Sequence, residues 1–233
     1  MSQQLLNFLY ASILSGAPLL FATLGEILTQ KAGNLNLGVE GMMWMGAFAG
    51  FYVGLKTDNA FLAIAGAFLF AALGALLYAF LTVTLKANQN VTGLTLTTFG
   101  IGISAVLGYA MTGATNGAPR LSEKLSASFS ALSVPLLSKI PFLGRLLFQH
   151  NILVYLAVAL AIAATVYLKY TRVGLNVRAI GENPAAADAA GINITALKYI
   201  NIIIGGGLCG IGGAYMSIIT ANGSWQPGGI VNG

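Results

Sequence analysis

The sequence predicts an all-α fold: a polytopic transmembrane helix bundle of about six spans, with one short helix outside the membrane. Three observations carry that prediction. Only 7% of the 233 residues are charged and 57% are hydrophobic. A soluble domain carries about 25% charged residues, so this chain could not cover a water-facing surface. The apolar residues fall into segments close to the ~20 residues that cross a bilayer. Small residues then recur at four-residue spacing inside those segments, which lets helix backbones approach closely in lipid.

The segments run near Leu5–Leu28, Leu35–Leu55, Ala60–Leu85, Thr92–Ala114, Asn151–Leu168 and Tyr199–Ala221. Lipid offers the backbone no hydrogen-bond partners, so spans are helices or closed barrels. Runs this long without strict alternation mean helices. The first segment follows Met1-Ser2-Gln3-Gln4, which lacks a basic n-region, and is read as a retained span. The second carries Gly46, Gly50 and Gly54; the third Ala67, Ala71, Ala75 and Ala79; the fourth Gly100, Ser104, Gly108 and Thr112; the sixth Gly206, Gly210 and Ala214. Each set lies along one helix face and predicts close packing.

Two connections are long. Thr115–His150 holds Pro119, Pro135 and Pro141 around amphipathic pieces such as Leu121–Leu132, and reads as a surface or gating element. Lys169–Lys198 is the other. Lys31, Lys86, Lys169, Arg172, Arg178 and Lys198 fall on its side of the bundle; Lys56, Arg120, Lys124, Lys139 and Arg145 fall opposite. Charges in long loops weigh less in setting orientation, so the expectation is an external N-terminus and a cytoplasmic 169–198 loop. Gly and Pro in Trp225–Gly233 suggest a re-entrant or broken element.

The net charge of +5 is spread between apolar segments, as topology signals and lipid-headgroup contacts are. It forms no basic stripe of the kind that binds nucleic acid. Cys209 and His150 are each alone of their kind, so neither a disulfide nor a Cys/His metal set is expected. Cys209 is read as packing and His150 as an interfacial loop residue. No GxxxxGK[ST] phosphate loop occurs, and the GxGxxG match at Gly205, Gly207 and Gly210 lies inside an apolar span rather than after a strand. Helix packing accounts for it. No cofactor is implied.

Two segments are chemically distinctive. In Gly33-Asn34-Leu35-Asn36-Leu37-Gly38-Val39-Glu40-Gly41, polar residues lead straight into a span. An intramembrane carboxylate such as Glu40 costs several kcal/mol unless paired or hydrated, which makes it a functional-site candidate. It either lines a polar pathway or braces neighbouring helices; both roles relieve its burial. Glu26 is a weaker case, close enough to Lys31 to reach the interface. In the second segment, Asn183 is a good N-cap, Pro184 a good first helical residue and Gly191 a fitting residue just past a helix end. Pro184–Ala190 is therefore expected to be a two-turn helix with a methyl-rich exposed face, and Asn193 to start the next.

Arg178-Ala179-Ile180-Gly181-Glu182-Asn183-Pro184 with Ala187 and Gly191 resembles the cytoplasmic coupling segment of binding-protein-dependent ABC permeases of the ribose-transporter type. Asn34-Leu35-Asn36-Leu37-Gly38-Val39-Glu40-Gly41-Met42-Met43 resembles the signature of that family's nucleoside and simple-sugar branch. The resemblance implies a single permease domain over residues 1–233, with further spans usual beyond it, and a coupling loop at 169–198. It implies Arg178, Gly181, Glu182, Asn183, Pro184, Ala187 and Gly191 as coupling residues, and Asn34, Asn36, Gly38, Glu40 and Gly41 as the core signature or pathway. Its expected partners are an ABC ATPase subunit, a second permease subunit, an extracytoplasmic substrate-binding protein and membrane lipid, in a bacterial cytoplasmic (inner) membrane. Transport would run by alternating access, powered by the ATPase, with no enzymatic activity in this chain. The competing class is a secondary transporter or channel that uses Glu40 as a proton or cation site.

Overall fold

The computed structural model describes residues 3–113, 119–130 and 148–225. They form nine helices: α1 (Gln3–Lys31), α2 (Val39–Thr57), α3 (Ala60–Ala79), α4 (Gln89–Gly113), α5 (Glu123–Ser128), α6 (Ile152–Tyr170), α7 (Arg172–Glu182), α8 (Pro184–Ala189) and α9 (Ile194–Tyr215). π-helical turns extend α3 through Phe80–Thr84 and α9 through Met216–Thr220.

Among the described residues, five helices are long and apolar enough to cross a membrane: α1, α3 with its π turn, α4, α6, and α9 with its π turn. The remaining apolar segment forms α2. It starts at Val39 rather than near Leu35, because Ala32–Gly38 is a folded turn rather than helix. Glu40 and Lys56 near its ends lower its apolarity, yet its 19 residues measure about 28 Å, close to the thickness of the hydrocarbon core. Every residue from Gly41 to Phe51 is buried.

The bundle is built around α9, which packs against α1, α2 and α3. Glycine makes this possible. A Cβ on Gly205 would lie 2.5 Å from the Gly25 carbonyl oxygen of α1, and one on Gly210 would collide with Ala71 and the Ala67 carbonyl of α3. A Cβ on Gly46 of α2 would meet the backbone of Gly210. Ala67, Ala71, Ala75 and Ala79 are fully buried. The four-residue stripes and the glycines of the GxGxxG match are thus helix-packing contacts. Cys209 is buried too, with its thiol 3.7 Å from the Ala22 carbonyl oxygen. α4 is laid against α2 through a backbone approach of Gly41 and Gly100, while Leu94, Val106 and Tyr109 stay exposed, as they would toward lipid.

The helices alternate in direction, giving the bundle two ends. At one end lie the Ala32–Gly38 turn, the 80–89 connection, α7–α8 and the first turns of α9, where Thr84 Oγ1 meets Tyr199 Oη. At the other lie the α2–α3 turn, α5 and the start of α6. There Ser122 bonds Asp58, Tyr10 Oη donates to the Gln149 carbonyl at 2.9 Å, and Asn151 Nδ2 donates to Tyr215 Oη at 3.1 Å. His150 is not an open loop residue: it is 2% exposed and stacks on Tyr10. Of the Leu121–Leu132 amphipathic stretch, Glu123–Ser128 is helical, with Leu121, Leu125 and Phe129 buried. Pro135, Pro141 and the segment from Gln226 onward lie outside the described residues.

Candidate functional site

The turn between α1 and α2 is held from several sides. Asn36 is 3% exposed; its Oδ1 accepts from the Gly38 amide at 2.9 Å, closing a side-chain turn that feeds α2. The Asn36 amide donates to Glu26 Oε1 on α1 at 3.1 Å. Asn34 is 2% exposed and its Nδ2 reaches Thr82 Oγ1 at 3.4 Å. The Leu35 amide donates to Gln89 Oε1 at 2.8 Å, and the Leu35 carbonyl accepts from Tyr78 Oη at 2.6 Å. Thr97 Oγ1 of α4 donates to the Leu37 carbonyl at 3.0 Å. One seven-residue turn therefore ties together α1, α3 with its π turn, and α4. Gly38 and Gly41 are glycine because α4 leaves no room for more: a Cβ on Gly38 would lie 2.9 Å from Leu96 Cδ2, and one on Gly41 2.7 Å from Thr97 Cα.

Glu40 is half-buried in the first turn of α2, and no hydrogen-bond partner is found for its carboxyl among the described residues. It faces a cavity of about 440 Å³ between α1 and α2, shared with Glu26, Gln30 and Asn36. Glu26 is the residue whose importance the sequence understated. Rather than simply reaching the interface, it holds the turn with Oε1, while Oε2 is buried beside Gln30 of the same helix.

The second segment is more ordered than a loop. Arg172–Glu182 is an amphipathic helix, α7, capped by Thr171 Oγ1, which accepts from the Gly174 amide at 2.9 Å. Gly174, Val177 and Ile180 share its buried face. Arg178 is half-buried on this helix, with Nε buried and without a hydrogen-bond partner among the described residues. Asn183 then caps α8, its Oδ1 accepting from the Ala186 amide at 3.1 Å, with Pro184 in the first turn. α8 ends at Ala189; Gly191 takes φ +75°, and the Ile192 amide bonds back to the Ala187 carbonyl at 3.1 Å. Asn193 caps α9 as expected. Pro184, Ala185, Ala186, Asp188 and Ala189 are exposed, whereas Ala187 is 3% exposed and seats the helix. The methyl-rich outer face exists, and Ala187 is not on it.

The fold brings the two segments into backbone contact. A Cβ on Gly181 would lie 2.5 Å from the Lys31 carbonyl oxygen and 3.4 Å from the Gly33 amide. Gly33, at φ +80°, reciprocates: a Cβ there would lie 3.2 Å from Gly181 Cα. Nothing bulkier than glycine fits at Gly181, and Gly33 has the backbone conformation that favours glycine.

Residues 8–231 match the family model described as branched-chain amino acid transport system / permease component. The chain belongs to that permease family. Among individual relatives, a Haloferax volcanii protein provisionally assigned as a glucose ABC transporter permease is 33% identical over 95% of this chain and 65% of its own length. The nucleoside ABC transporter permease of Lactococcus lactis is 34% identical, over 90% of this chain and 67% of its own. The guanosine ABC transporter permease of Bacillus subtilis is 32% identical, over 90% and 66%. The chain thus spans about two thirds of the curated relatives it matches. No solved structure matches it significantly. In this permease the two distinctive segments meet at one end of a multi-pass helical bundle.

Proposed function

We propose that the chain is the membrane-spanning part of a permease subunit of an ATP-driven importer for nucleosides or simple sugars. The observation that carries this reading is the exposed α8 helix, set on a backbone contact with the α1–α2 turn. A helix that buries only Ala187 and presents Ala185, Ala186 and Ala189 outward is shaped to enter a groove on another protein. Through Gly181 and Gly33 a displacement of α7–α8 reaches a turn that grips three other helices. In the proposed mechanism, ATP binding closes a partner ATPase pair, α7–α8 shifts, and the turn carries that shift into α1 and α4. Only differential binding of the ATPase to the two bundle states can drive the change. Gly181, Glu182, Asn183, Pro184 and Gly191 shape and expose the coupling helix, Ala187 seats it, Arg178 belongs to the helix that leads into it, and Asn34, Asn36, Gly38 and Gly41 hold the turn.

A second permease subunit completes the pathway, and an extracytoplasmic binding protein delivers the solute, in the cytoplasmic membrane with α8 on the cytoplasmic side. A secondary carrier built on Glu40 has no use for an exposed coupling helix, and the named ABC permeases among the relatives favour the importer.

The test is co-purification of the tagged full-length gene product from solubilised native membranes, followed by uptake of labelled nucleosides and glucose. Recovery of an ATP-binding-cassette subunit, with uptake that stops on ATP depletion, is the expected result. Uptake that persists without ATP, by a chain recovered alone, would overturn it.

A further inference from the structure

At the α8 end, a cavity of about 710 Å³ opens between the π turn of α3, the connection that follows it, α8 and the first turns of α9. That volume lies within the roughly 300–1,000 Å³ of small-ligand sites. Two lysines from different elements border it, Lys86 from the α3–α4 connection and Lys198 from α9, together with Thr195. Neither lysine has a hydrogen-bond or ion-pair partner among the described residues. Lys198 is half-buried, on the α9 face that continues into buried Ile202 and Gly205. Its Nζ lies 3.7 Å from where a Cβ on Gly33 would sit, against the α1–α2 turn. A half-buried cation without a counter-ion is costly, and an anion from outside the chain relieves that cost. Lys86 stands at the rim with φ +54°, a backbone conformation unusual for lysine. Asp188, on the α8 wall, is exposed and pairs with neither lysine. The flank is apolar. Val83, Ile192 and Ile194 line the cavity, the α3 turns that lead to it leave Leu76, Leu77 and Phe80 exposed, and Leu85 is exposed beside Lys86.

We propose that this cavity seats the phosphate of an anionic phospholipid, held between the ammonium groups of Lys86 and Lys198, with the lipid's hydrocarbon against the exposed apolar side chains of α3. Basic pockets between membrane helices suit acidic headgroups, because the charge is satisfied at the depth where phosphates lie. A free phosphate would meet the lysines and leave the apolar flank open to water; a phospholipid meets both. A choline headgroup would bring its own cation toward the two lysines, which favours a headgroup of net negative charge. The lipid would touch the α3–α4 connection and α9, on either side of α8, so leaflet charge would bear on how that helix is held. The proposal needs only that the α8 end lies at a membrane surface; it does not depend on the importer reading.

The test uses the full-length gene product, delipidated in detergent and titrated with phosphatidylglycerol, phosphatidylcholine or inorganic phosphate, with bound lipid counted by native mass spectrometry. One phosphatidylglycerol is expected to bind about tenfold tighter than phosphatidylcholine, as two lysines at a membrane surface would give. Lys86→Gln and Lys198→Gln should each weaken it roughly fivefold to tenfold, the loss of about one charge-assisted contact. Lys124→Gln, at an exposed position on the opposite end, should leave it unchanged. Asp188→Asn should tighten it, by removing the carboxylate from the wall. Melting temperatures without lipid establish that each variant is folded; the exposed Lys86 carries the test should Lys198→Gln not fold. Equal affinity for phosphatidylcholine, displacement of the bound lipid by an equal concentration of inorganic phosphate, or unchanged binding in Lys86→Gln would overturn the proposal. So would variants at both lysines that keep the lipid but lose a co-purifying ATPase subunit, which would assign the two lysines to an acidic segment of that partner.

Discussion

Gly213 and Gly102 both sit inside long helices, and a methyl group added to each has opposite consequences. A Cβ on Gly213 would collide with the Met43 carbonyl, 2.7 Å from its carbon, where α9 presses on α2; one on Gly102 would meet nothing within 4 Å. Gly213→Ala is therefore expected to destabilise the bundle by about 1–3 kcal/mol, the usual cost of overpacking. Gly102→Ala should leave stability unchanged or raise it by up to about 1 kcal/mol through helix propensity. Thermal unfolding of the two purified variants in the same detergent checks both signs. The same scale explains Asn36. Its side chain supplies the acceptor for the Gly38 amide, and no water-filled surface is available to replace it at 3% exposure. Asn36→Ala should cost about 1–3 kcal/mol by leaving that amide unsatisfied, whereas Leu35→Ala, at a side chain 38% exposed whose backbone makes the bonds, should cost well under 1 kcal/mol. A melting temperature for Leu35→Ala as low as that for Asn36→Ala would show that the turn is not held as described.

At the scale of elements, α8 separates two roles that the sequence motif merges. Ala185 is exposed and Ala187 is buried. Ala185→Arg should leave the melting temperature within about 1 °C of the parent, since exposed substitutions usually cost under 0.5 kcal/mol, while lowering ATP-dependent uptake strongly by blocking the docking face. Ala187→Arg should lower the melting temperature itself, because a long cationic side chain cannot enter the seat. Uptake unaffected by Ala185→Arg would remove α8 from the coupling path. The helix itself was legible because Asn183, Pro184 and Gly191 each have a local reason to stand where they do. The preceding helix α7 was not: its buried face is only Gly174, Val177 and Ile180, too few apolar residues among polar ones to stand out in a segment read as a connection. The late start of α2 has a similar cause. Leu35 and Leu37 look like span residues, but side-chain bonds from Gln89, Tyr78 and Thr97 hold their backbone in a turn. Glu26 was undervalued because its partner, the Asn36 amide, is a backbone group that leaves no trace in residue identities.

At the scale of the whole molecule, the bundle was legible from composition and glycine spacing, because helix packing in lipid depends on small residues at fixed intervals. The meeting of the two motifs was not, since it is made by the alternation of helices between them. That meeting fixes a directional prediction. Lys31, Lys86, Lys169, Arg172, Arg178 and Lys198 all belong to the α8 end, and Lys56, Arg120 and Lys124 to the other. Positive residues near span ends favour the cytoplasmic side, and an ATPase can meet α8 only there. Asp188 and Lys124 are exposed at opposite ends of the bundle, and Cys209 is shielded in its middle, so single cysteines at the first two positions report sidedness cleanly. In intact cells carrying the full-length protein, a membrane-impermeant maleimide should label Lys124→Cys at once and Asp188→Cys only after the membrane is permeabilised. The reverse pattern would put α8 outside the cell. No cytoplasmic ATPase could then reach it.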